Sequence, residues 1–193
     1  MNNPHTPLKE FIHVEKGIIP LDLCDRIVEY IKTKEWIKHQ WYDNVEDMHV
    51  SEKTRELDVQ HITPEWQEQL TPIIIGAGDL YTSEYAFPSE KTIALIGRFS
   101  PVRFNRYNKG QIMRQHHDHI YSLFDGKYKG IPVLSYILNF NDDYEGADLF
   151  FWKDHVIELG KGDIVMFPSL FLFPHGVTEA TKGTRYSGVC WAW

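Results

Sequence analysis

The chain has 193 residues, of which 42% are hydrophobic and 24% are charged. This composition is typical of a globular protein that buries its core without disulfides or a structural metal. The formal net charge is −7 with histidine neutral, and the sequence has no dense block of lysine and arginine. We therefore expect neither nucleic acid nor a membrane as a partner. The lack of an apolar signal segment favours a cytoplasmic protein, and the oligomeric state stays open.

The first part of the chain, about residues 1–92, has the apolar spacing of helices. Leu23, Ile27 and Ile31 repeat at the spacing of one helix face. Pro20 precedes them, where its missing N–H costs little because the first turn of a helix leaves its N–H groups unpaired. These residues predict one helix that begins near Pro20 and ends near residue 32.

A second helix is predicted from Pro64 to about Tyr85, with Thr63 as its N-cap. Pro72 and the Gly-Ala-Gly sequence at 76–78 predict a break within it. The polar stretch Lys38–His61 lies between the two helices and predicts a long loop or an irregular edge strand. The residues expected on the inward face of the second helix are Trp66, Leu70, Ile73, Ile74 and Leu80.

From about residue 93 to residue 193 the pattern changes to a period of two, in short runs separated by turn residues. Such runs predict an antiparallel sandwich or barrel rather than alternating strands and helices. The expected fold class is mainly β (α+β): a jelly-roll core with the N-terminal helices packed on one sheet, in a single domain. The predicted strands are Ile93–Phe99, Val102–Tyr107, Ile112–Asp118, Val133–Asn139, Asp148–Trp152, Val156–Leu159, Asp163–Phe167, Gly176–Thr178 and Arg185–Trp191.

Two metal-binding side chains, His116 and Asp118, are separated by one residue. On the strand predicted there, both project from the same face. A third ligand has to come from elsewhere in the chain, and His175 is the best placed. Two histidines and one carboxylate on one face leave the other metal positions open, which is typical of non-haem Fe(II) oxygenases. A competing register pairs His117 with His119, which also share a face and could bind zinc.

Arg185 follows His175 across a short reversal at Lys182-Gly183, so the two residues are expected to lie close together. An open Fe(II) site leaves room for a 2-oxo acid to chelate the metal. The distal carboxylate of such a co-substrate needs a buried, permanently charged, two-pronged donor, which a guanidinium supplies. Tyr107 and Thr181 are expected to add hydroxyl donors.

Several motifs occur in order along the second half of the chain. They are Tyr107-x-x-Gly110 with His116-x-Asp118, Leu138-Asn139, Tyr144-Glu-Gly-Ala-Asp-Leu149, Gly162-Asp-Ile-Val-Met-Phe-Pro168, and His175 with Gly183-Thr-Arg185-Tyr186. In these motifs the chain resembles the prolyl 4-hydroxylase-like branch of the Fe(II)/2-oxoglutarate oxygenases. The resemblance implies a double-stranded β-helix with supporting N-terminal helices. It also implies that His116, Asp118 and His175 hold Fe(II), that Arg185 binds the C5 carboxylate of 2-oxoglutarate, and that O2 is the second co-substrate, with ascorbate as a further cofactor.

Two positions differ from parts of that family. Many collagen-type relatives have lysine where this chain has Arg185, whereas the oxygen-sensing and many bacterial or viral members have arginine. A tyrosine that often precedes Leu-Asn in the oxygen-sensing relatives is Ile137 here, with Tyr136 one residue earlier. Because strand neighbours face opposite ways, Tyr136 need not replace it. Tyr107 is then the better candidate for a phenol near the co-substrate, and Leu149 is expected to line the same pocket.

The resemblance implies hydroxylation of an unactivated C–H bond with release of succinate and CO2. A prolyl residue of a peptide or protein is the favoured substrate. The segment that follows Asp118 is expected to contact the substrate through His119 and Tyr121. The stretch Lys38–His61 is expected to contact it through Trp41 and Arg55. Three alternatives stay open: the same chemistry on a free amino acid or other small molecule, a zinc or cupin-type hydrolase, and a non-catalytic jelly roll that binds a ligand or a protein.

Overall fold

A computed structural model describes residues 6–43, 48–50, 55–85, 96–118 and 132–193 of the chain. Within these ranges the helices are α1 (Thr6–Lys9), α2 (Leu21–Lys32) and α3 (Pro64–Tyr85). None of them is both long and apolar enough to cross a membrane. The strands are β1 (His13–Glu15), β2 (Ile37–Lys38), β3 (Trp41–Asp43), β4 (Met48–Val50), β5 (Asp58–His61), β6 (Arg103–Tyr107), β7 (Met113–His116), β8 (Leu134–Asn139), β9 (Glu145–Gly146), β10 (Leu149–Phe151), β11 (His155–Ile157), β12 (Ile164–Pro168), β13 (His175–Val177), β14 (Ala180–Lys182) and β15 (Arg185–Ala192).

Two antiparallel sheets form the jelly roll. The major sheet has seven strands in the order β1-β12-β8-β15-β6-β5-β2, and the minor sheet has four in the order β11-β10-β13-β7. Side chains from both sheets meet in one buried cluster and line one shared cavity. This arrangement is the double-stranded β-helix, so the predicted fold class is confirmed.

Alternation along the strands gives the major sheet two different faces. On β15, Tyr186, Cys190 and Ala192 pack into a core shared with α2 and α3. The alternate residues of the same strand line the cavity on the other side; they are Arg185, Ser187, Val189 and Trp191. Since successive strand residues point to opposite faces, one strand builds both the helix-packing surface and a wall of the cavity.

The two predicted helices are present. In α2, Leu23, Ile27 and Ile31 are buried against the major sheet, as the helical spacing predicted. Burying an apolar side chain of this size stabilises a fold by about 1.5–3 kcal/mol. In α3 the buried residues are Trp66, Leu70, Ile74, Ala77, Gly78 and Tyr81, whereas Leu80, which was expected to face inward, is 47% exposed.

The predicted break in the second helix is wrong, because α3 runs unbroken through Pro72. Pro72 cannot donate a hydrogen bond to the carbonyl of Glu68 one turn earlier. Both residues lie on the exposed face, so water can bind this carbonyl and the helix continues. The predicted N-cap is also wrong: within the described ranges the buried Thr63 hydroxyl has no hydrogen-bond partner.

The glycine at position 78 lets α3 lie close to the major sheet. A Cβ added to Gly78 would lie 2.5 Å from the hydroxyl oxygen of the fully buried Tyr136, whereas a Cβ on Gly76 would meet nothing within 4 Å. We expect Gly78→Ala to lower the free energy of unfolding by about 1–3 kcal/mol, because helix and sheet must move apart.

Gly76→Ala is the matched control for that substitution. It should be neutral or stabilising by up to about 1 kcal/mol, because alanine is the better helix former and the site has room. Urea unfolding of both variants measures the difference. Equal stabilities for the two variants would contradict a close helix–sheet contact at Gly78.

Most predicted strands are found, with bounds shifted by one or two residues. Within Ile93–Phe99, residues 93–95 lie outside the described residues, and of the remainder only Phe99 forms a bridge, to Ala192. The stretch Lys38–His61 is not one loop. It contributes the edge strand β2 and its neighbour β5 to the major sheet. Strands β3 and β4 of the same stretch form a separate two-stranded sheet.

Candidate metal centre and adjoining cavity

Three side chains meet between the ends of two paired strands. His116 ends β7, His175 begins β13, and the two residues are paired across the strands. Asp118 lies at a bend two residues after His116. Its Oδ1 is 3.5 Å from His116 Nε2, and its Oδ2 is 3.7 Å from His175 Nε2. One potential ligand atom from each residue lies within 4.8 Å of the others, a spacing that suits a single metal ion.

Hydrogen bonds fix the orientation of both histidine rings. The Nδ1 atom of His116 lies 2.8 Å from the Arg114 carbonyl, and that of His175 lies 3.0 Å from the Phe173 carbonyl. A carbonyl oxygen only accepts, so each Nδ1 must carry a proton and donate. In this arrangement Nε2 is the ring nitrogen that faces Asp118 and can bind a metal through its lone pair. This tautomer is the one that metal-binding histidines need.

Buried hydroxyl groups support the carboxylate of Asp118. Ser135 Oγ donates to Asp118 Oδ2 at 2.7 Å and lies 2.8 Å from Ser169 Oγ. Burial alone would raise the pKa of Asp118. The fields of His175 and His116 and the Ser135 hydrogen bond outweigh burial, and hold this pKa well below its ordinary value. Burial also lowers the pKa of His175 to about 4, so at neutral pH the Asp118 carboxylate is ionised and the His175 imidazole is neutral.

Within the ranges that the structure describes, these three residues are the group of histidine and acidic side chains placed to hold a metal. His117 is exposed beside them. The competing zinc register also needs His119, which lies outside the described residues. Tyr121, expected as a substrate contact, lies outside them as well.

Arg185 lies on the neighbouring strand β15 and is 1% exposed. Its Nε donates to Asn139 Oδ1 at 2.9 Å and its Nη1 to the Ala147 carbonyl at 2.8 Å. Its buried Nη2 has no partner among the described residues. The rings of Tyr107 and Tyr144 lie 5.7 and 5.9 Å from the guanidinium carbon. Since an unpaired buried cationic donor is costly, this arrangement fits an anionic ligand bound at Nη2.

Arg185 and the three candidate ligands line the same cavity between the sheets. Tyr107, directly opposite Arg185 in the sheet, and the buried Leu149 of the minor sheet are part of its wall. Ile137 also lines it, while Tyr136 packs on the helix side. Tyr136 therefore does not take the place of the missing tyrosine.

The other predicted site residues have different positions. Trp41 lies at the metal centre, with its ring centroid 5.3 Å from that of His116. Thr181 is exposed on the two-stranded β9–β14 sheet, where its hydroxyl donates to the Glu145 carbonyl and not into the cavity. Arg55 is exposed and forms an ion pair with Glu179. The structure therefore does not bring Thr181 or Arg55 to the metal centre, because both side chains point to solvent.

Sequence reasoning did not identify three polar residues of the site: Arg103, Ser135 and Asn139. Arg103 lines the cavity from β6, Ser135 holds Asp118, and Asn139 holds Arg185. Arg103 precedes Tyr107 by four residues on a predicted strand. The same two-residue periodicity that placed His116 beside Asp118 could have placed Arg103 on the face of Tyr107.

The segment that carries Trp41 also buries a histidine. His39 is 6% exposed, its ring packs against Trp41, and its Nδ1 has no hydrogen-bond partner among the described residues. Burial, assisted by the positive charge of Arg103, lowers the pKa of His39 from its ordinary 6.5 to about 3. His39 thus stays neutral in the folded protein while the unfolded chain takes up a proton below about pH 6.5.

We expect the metal-free protein to lose stability as the pH falls from about 6.5 toward 4. Each of His39 and His175 binds its proton only in the unfolded state over this window, and each contributes a slope of up to about 1.4 kcal/mol per pH unit. Urea unfolding with a chelator at several pH values measures the slope. His39→Gln should reduce it, and the exposed His61→Gln is the control. An unchanged slope in His39→Gln would contradict the neutral state of His39.

Comparison with known proteins bears on this site. Residues 102–193, which contain every candidate ligand and Arg185, match the model of a family described as the 2OG-Fe(II) oxygenase superfamily. The chain is 29% identical over 156 residues to a PKHD-type hydroxylase of Shewanella sp. strain MR-7, covering 78% of this chain and 66% of that one. It is 32% identical over 125 residues to a PKHD-type hydroxylase of Shewanella oneidensis, covering 62% and 55%. The chain therefore spans about half to two thirds of the length of the curated relatives it matches.

Solved structures share the fold. A prolyl-4-hydroxylase of Pseudomonas putida superposes with a TM-score of 0.63 at 20% identity, over 94% of this chain and 91% of the other. A viral collagen prolyl hydroxylase from Paramecium bursaria Chlorella virus-1 gives a TM-score of 0.65 at 15% identity, over 94% of both chains. A Trichoplax adhaerens prolyl hydroxylase in complex with a peptide fragment gives 0.67 at 13% identity, over 95% and 83%.

Proposed function

We propose that this protein is an Fe(II)- and 2-oxoglutarate-dependent hydroxylase, a proposal supported by the match of residues 102–193 to the model of the 2OG-Fe(II) oxygenase superfamily. One observation carries the proposal. An open face of two histidines and one carboxylate lines the same cavity as Arg185, whose buried Nη2 has no hydrogen-bond partner among the described residues. A site of this kind suits Fe(II) together with a co-substrate that chelates the metal at one end and carries an anion at the other.

His116, Asp118 and His175 would hold the iron. When bound, Fe(II) provides the centre at which O2 and 2-oxoglutarate react, so that oxidative decarboxylation to succinate and CO2 is coupled to hydroxylation of a C–H bond. The protein contributes a fixed arrangement of donors. The backbone carbonyls at Arg114 and Phe173 set the two imidazole tautomers, and Ser135 orients the carboxylate. Such outer partners raise the affinity for the metal, because they restrain ligands that would otherwise rotate.

Arg185 would bind the distal carboxylate of 2-oxoglutarate through Nη2. Asn139 and Ala147 already hold the other side of the guanidinium, so little side-chain freedom is lost on binding. Tyr107 and Leu149 would close the cavity around the co-substrate and exclude water. In the drier space the charge-assisted hydrogen bond from Arg185 is stronger than it is in bulk water.

The favoured substrate is a prolyl residue of a peptide or protein. Support comes from the proteins of similar structure, which include prolyl hydroxylases and one complex with a peptide. Trp41 lies against His116 in a position to contact a substrate near the metal. His119 and Tyr121 stay predictions as further contacts.

The test is anaerobic addition of Fe(II) and 2-oxoglutarate to metal-free protein, followed by visible spectroscopy. We expect the charge-transfer band of an iron-chelated 2-oxo acid. In a parallel titration, 2-oxobutyrate should give the same kind of band only at much higher concentration, since it chelates iron but has no distal carboxylate for Arg185. Zinc in place of iron should give no band.

Two outcomes would overturn the proposal. If no band forms while zinc binds tightly, the zinc or cupin-type hydrolase becomes the better interpretation. If neither metal binds, the non-catalytic jelly roll becomes the better interpretation. Equal titration midpoints for 2-oxoglutarate and 2-oxobutyrate would leave the metal centre in place but remove Arg185 from the co-substrate site.

A further inference from the structure

A second arginine lines the cavity at a distance from the first. Arg103 lies on β6, on the same face as Tyr107 and four residues before it, and it is opposite Val189 in the sheet, as Tyr107 is opposite Arg185. Four residues of strand span roughly 13 Å between Cα atoms. The guanidinium of Arg185 is held by Asn139 and Ala147, whereas that of Arg103 is held near Asn105 and Trp191. The two cations therefore occupy separate positions.

Arg103 has no carboxylate partner in the part of the chain that the structure describes. Its Nε donates to Asn105 Oδ1 at 3.2 Å, and its guanidinium carbon lies 5.5 Å from the Trp191 ring centroid. Among the described residues, these contacts fix the side chain but use only one of its five N–H donors. A guanidinium that lines a cavity in this state has the donors and the charge to bind an anion.

Arg103 and the metal centre share one cavity. Arg103 lines it together with all three candidate metal ligands, His116, Asp118 and His175. Val189, which is opposite Arg103 in the sheet, lines the same cavity. An anion bound at Arg103 would therefore be close to the metal centre.

The charges of the loaded site leave Arg103 uncompensated. On the proposed function, the two positive charges of Fe(II) and the one of Arg185 balance the single negative charge of Asp118 and the two of 2-oxoglutarate. The charge of Arg103 remains, on a half-buried side chain that forms no ion pair with the described residues. A carboxylate brought by the second reactant would neutralise it.

We infer that the molecule to be hydroxylated presents a carboxylate to Arg103, close to the carbon that reacts. This inference rests on the proposed function and makes it narrower. Because Arg103 is near the metal ligands, the carboxylate and the reacting carbon belong to the same residue. The substrate is then a free amino acid or the C-terminal residue of a peptide, with its α-carboxylate bound by Arg103.

The test compares matched acids and amides as stimulants of succinate formation by the iron- and 2-oxoglutarate-loaded protein. One arm uses the free L-amino acids, proline included, and their amides. The other uses N-acetylated dipeptides that end in the same residues, as acids and as amides. We expect at least one acid to stimulate succinate formation, with kcat/KM about 10- to 100-fold above that of its amide, as for the loss of one charge-assisted hydrogen bond. The arm that responds identifies the source of the carboxylate.

Substitutions then assign the preference to Arg103. Arg103→Met should raise KM for the responding acid by about 10- to 100-fold and leave KM for its amide nearly unchanged, whereas Arg103→Lys should recover part of the preference. Arg106→Met is the matched control, since Arg106 is on the same strand, faces the other side of the sheet and pairs with Asp58. Thermal unfolding checks that each variant is folded.

The outcomes distinguish this inference from the proposed function. If the wild type shows no charge-transfer band with Fe(II) and 2-oxoglutarate, the proposed function fails first. If the band forms but amides stimulate as well as acids, or no acid of either arm stimulates, the inference is overturned and the hydroxylase stands. An acid preference that survives in Arg103→Met overturns the assignment to Arg103.

Discussion

Asp118→Ala should abolish Fe(II) binding at micromolar metal and, with it, any turnover of 2-oxoglutarate. Asp118 is the anionic ligand of the candidate centre, and its Oδ1 and Oδ2 each face one histidine Nε2. Its removal leaves two imidazoles and no anionic ligand, which is too few donors to hold Fe(II) against water. The loss should exceed the roughly 10- to 100-fold weakening that is typical when only an outer partner of a metal ligand is removed.

Two variants calibrate that result. Ser135→Ala removes the hydroxyl that donates to Asp118 Oδ2 and should fall in the weaker, outer-partner range. Asp154→Ala removes an exposed carboxylate and should bind iron as the wild type does. Anaerobic Fe(II) titration, followed by the charge-transfer band, measures all three. Wild-type iron affinity in Asp118→Ala would show that the metal is held elsewhere.

Arg185→Met should raise the 2-oxoglutarate concentration that half-saturates the band by about 10- to 100-fold, with little change in Fe(II) affinity. The guanidinium supplies a charge-assisted hydrogen bond to the distal carboxylate, and such bonds contribute about 1.5–3 kcal/mol. The sharpest readout is the ratio of the 2-oxoglutarate and 2-oxobutyrate midpoints, which should fall toward one in the variant. A ratio unchanged from the wild type would mean that another group binds the distal carboxylate.

Loss of folding is the confounding effect to control for Arg185→Met. The substitution leaves Asn139 Oδ1 and the Ala147 carbonyl without their donor, at a cost of about 1–3 kcal/mol for each buried acceptor. Arg185→Lys keeps the charge but not the two-pronged geometry, so it should bind 2-oxoglutarate with intermediate strength. Urea unfolding of both variants separates weak binding from weak folding.

The metal centre could be predicted because its information is local. His116 and Asp118 are neighbours on one strand, and His175 with Arg185 follows a short reversal, so spacing was enough to propose them together. The structure refines one detail: β7 ends at His116, and Asp118 approaches from a bend rather than from the strand. The two side chains still meet, because the bend turns the carboxylate toward the histidines.

Residues whose role depends on distant partners could not be predicted in the same way. Thr181 is near Arg185 in the sequence, but pairing of β14 with β9 turns its hydroxyl outward to Glu145. Trp41 and His116 are far apart in the sequence, and only the folded chain brings their rings into contact. Ser135 is one serine in an apolar strand until the fold brings Asp118 to it. Gly78 seemed a helix breaker because the sequence does not show Tyr136 against it.

The position of β15 in the sheet has a consequence for how the protein folds. This strand lies between β8 and β6, pairs with both, and carries Arg185. The major sheet therefore closes only when residues 185–192 insert between strands formed by much earlier parts of the chain. Pairing of such distant segments is intrinsically slow, because the entropy of closing long loops is lost before the contacts form. On the proposed function, iron and 2-oxoglutarate would find a complete binding cavity only when this strand is in place, so they would stabilise the folded state by mass action.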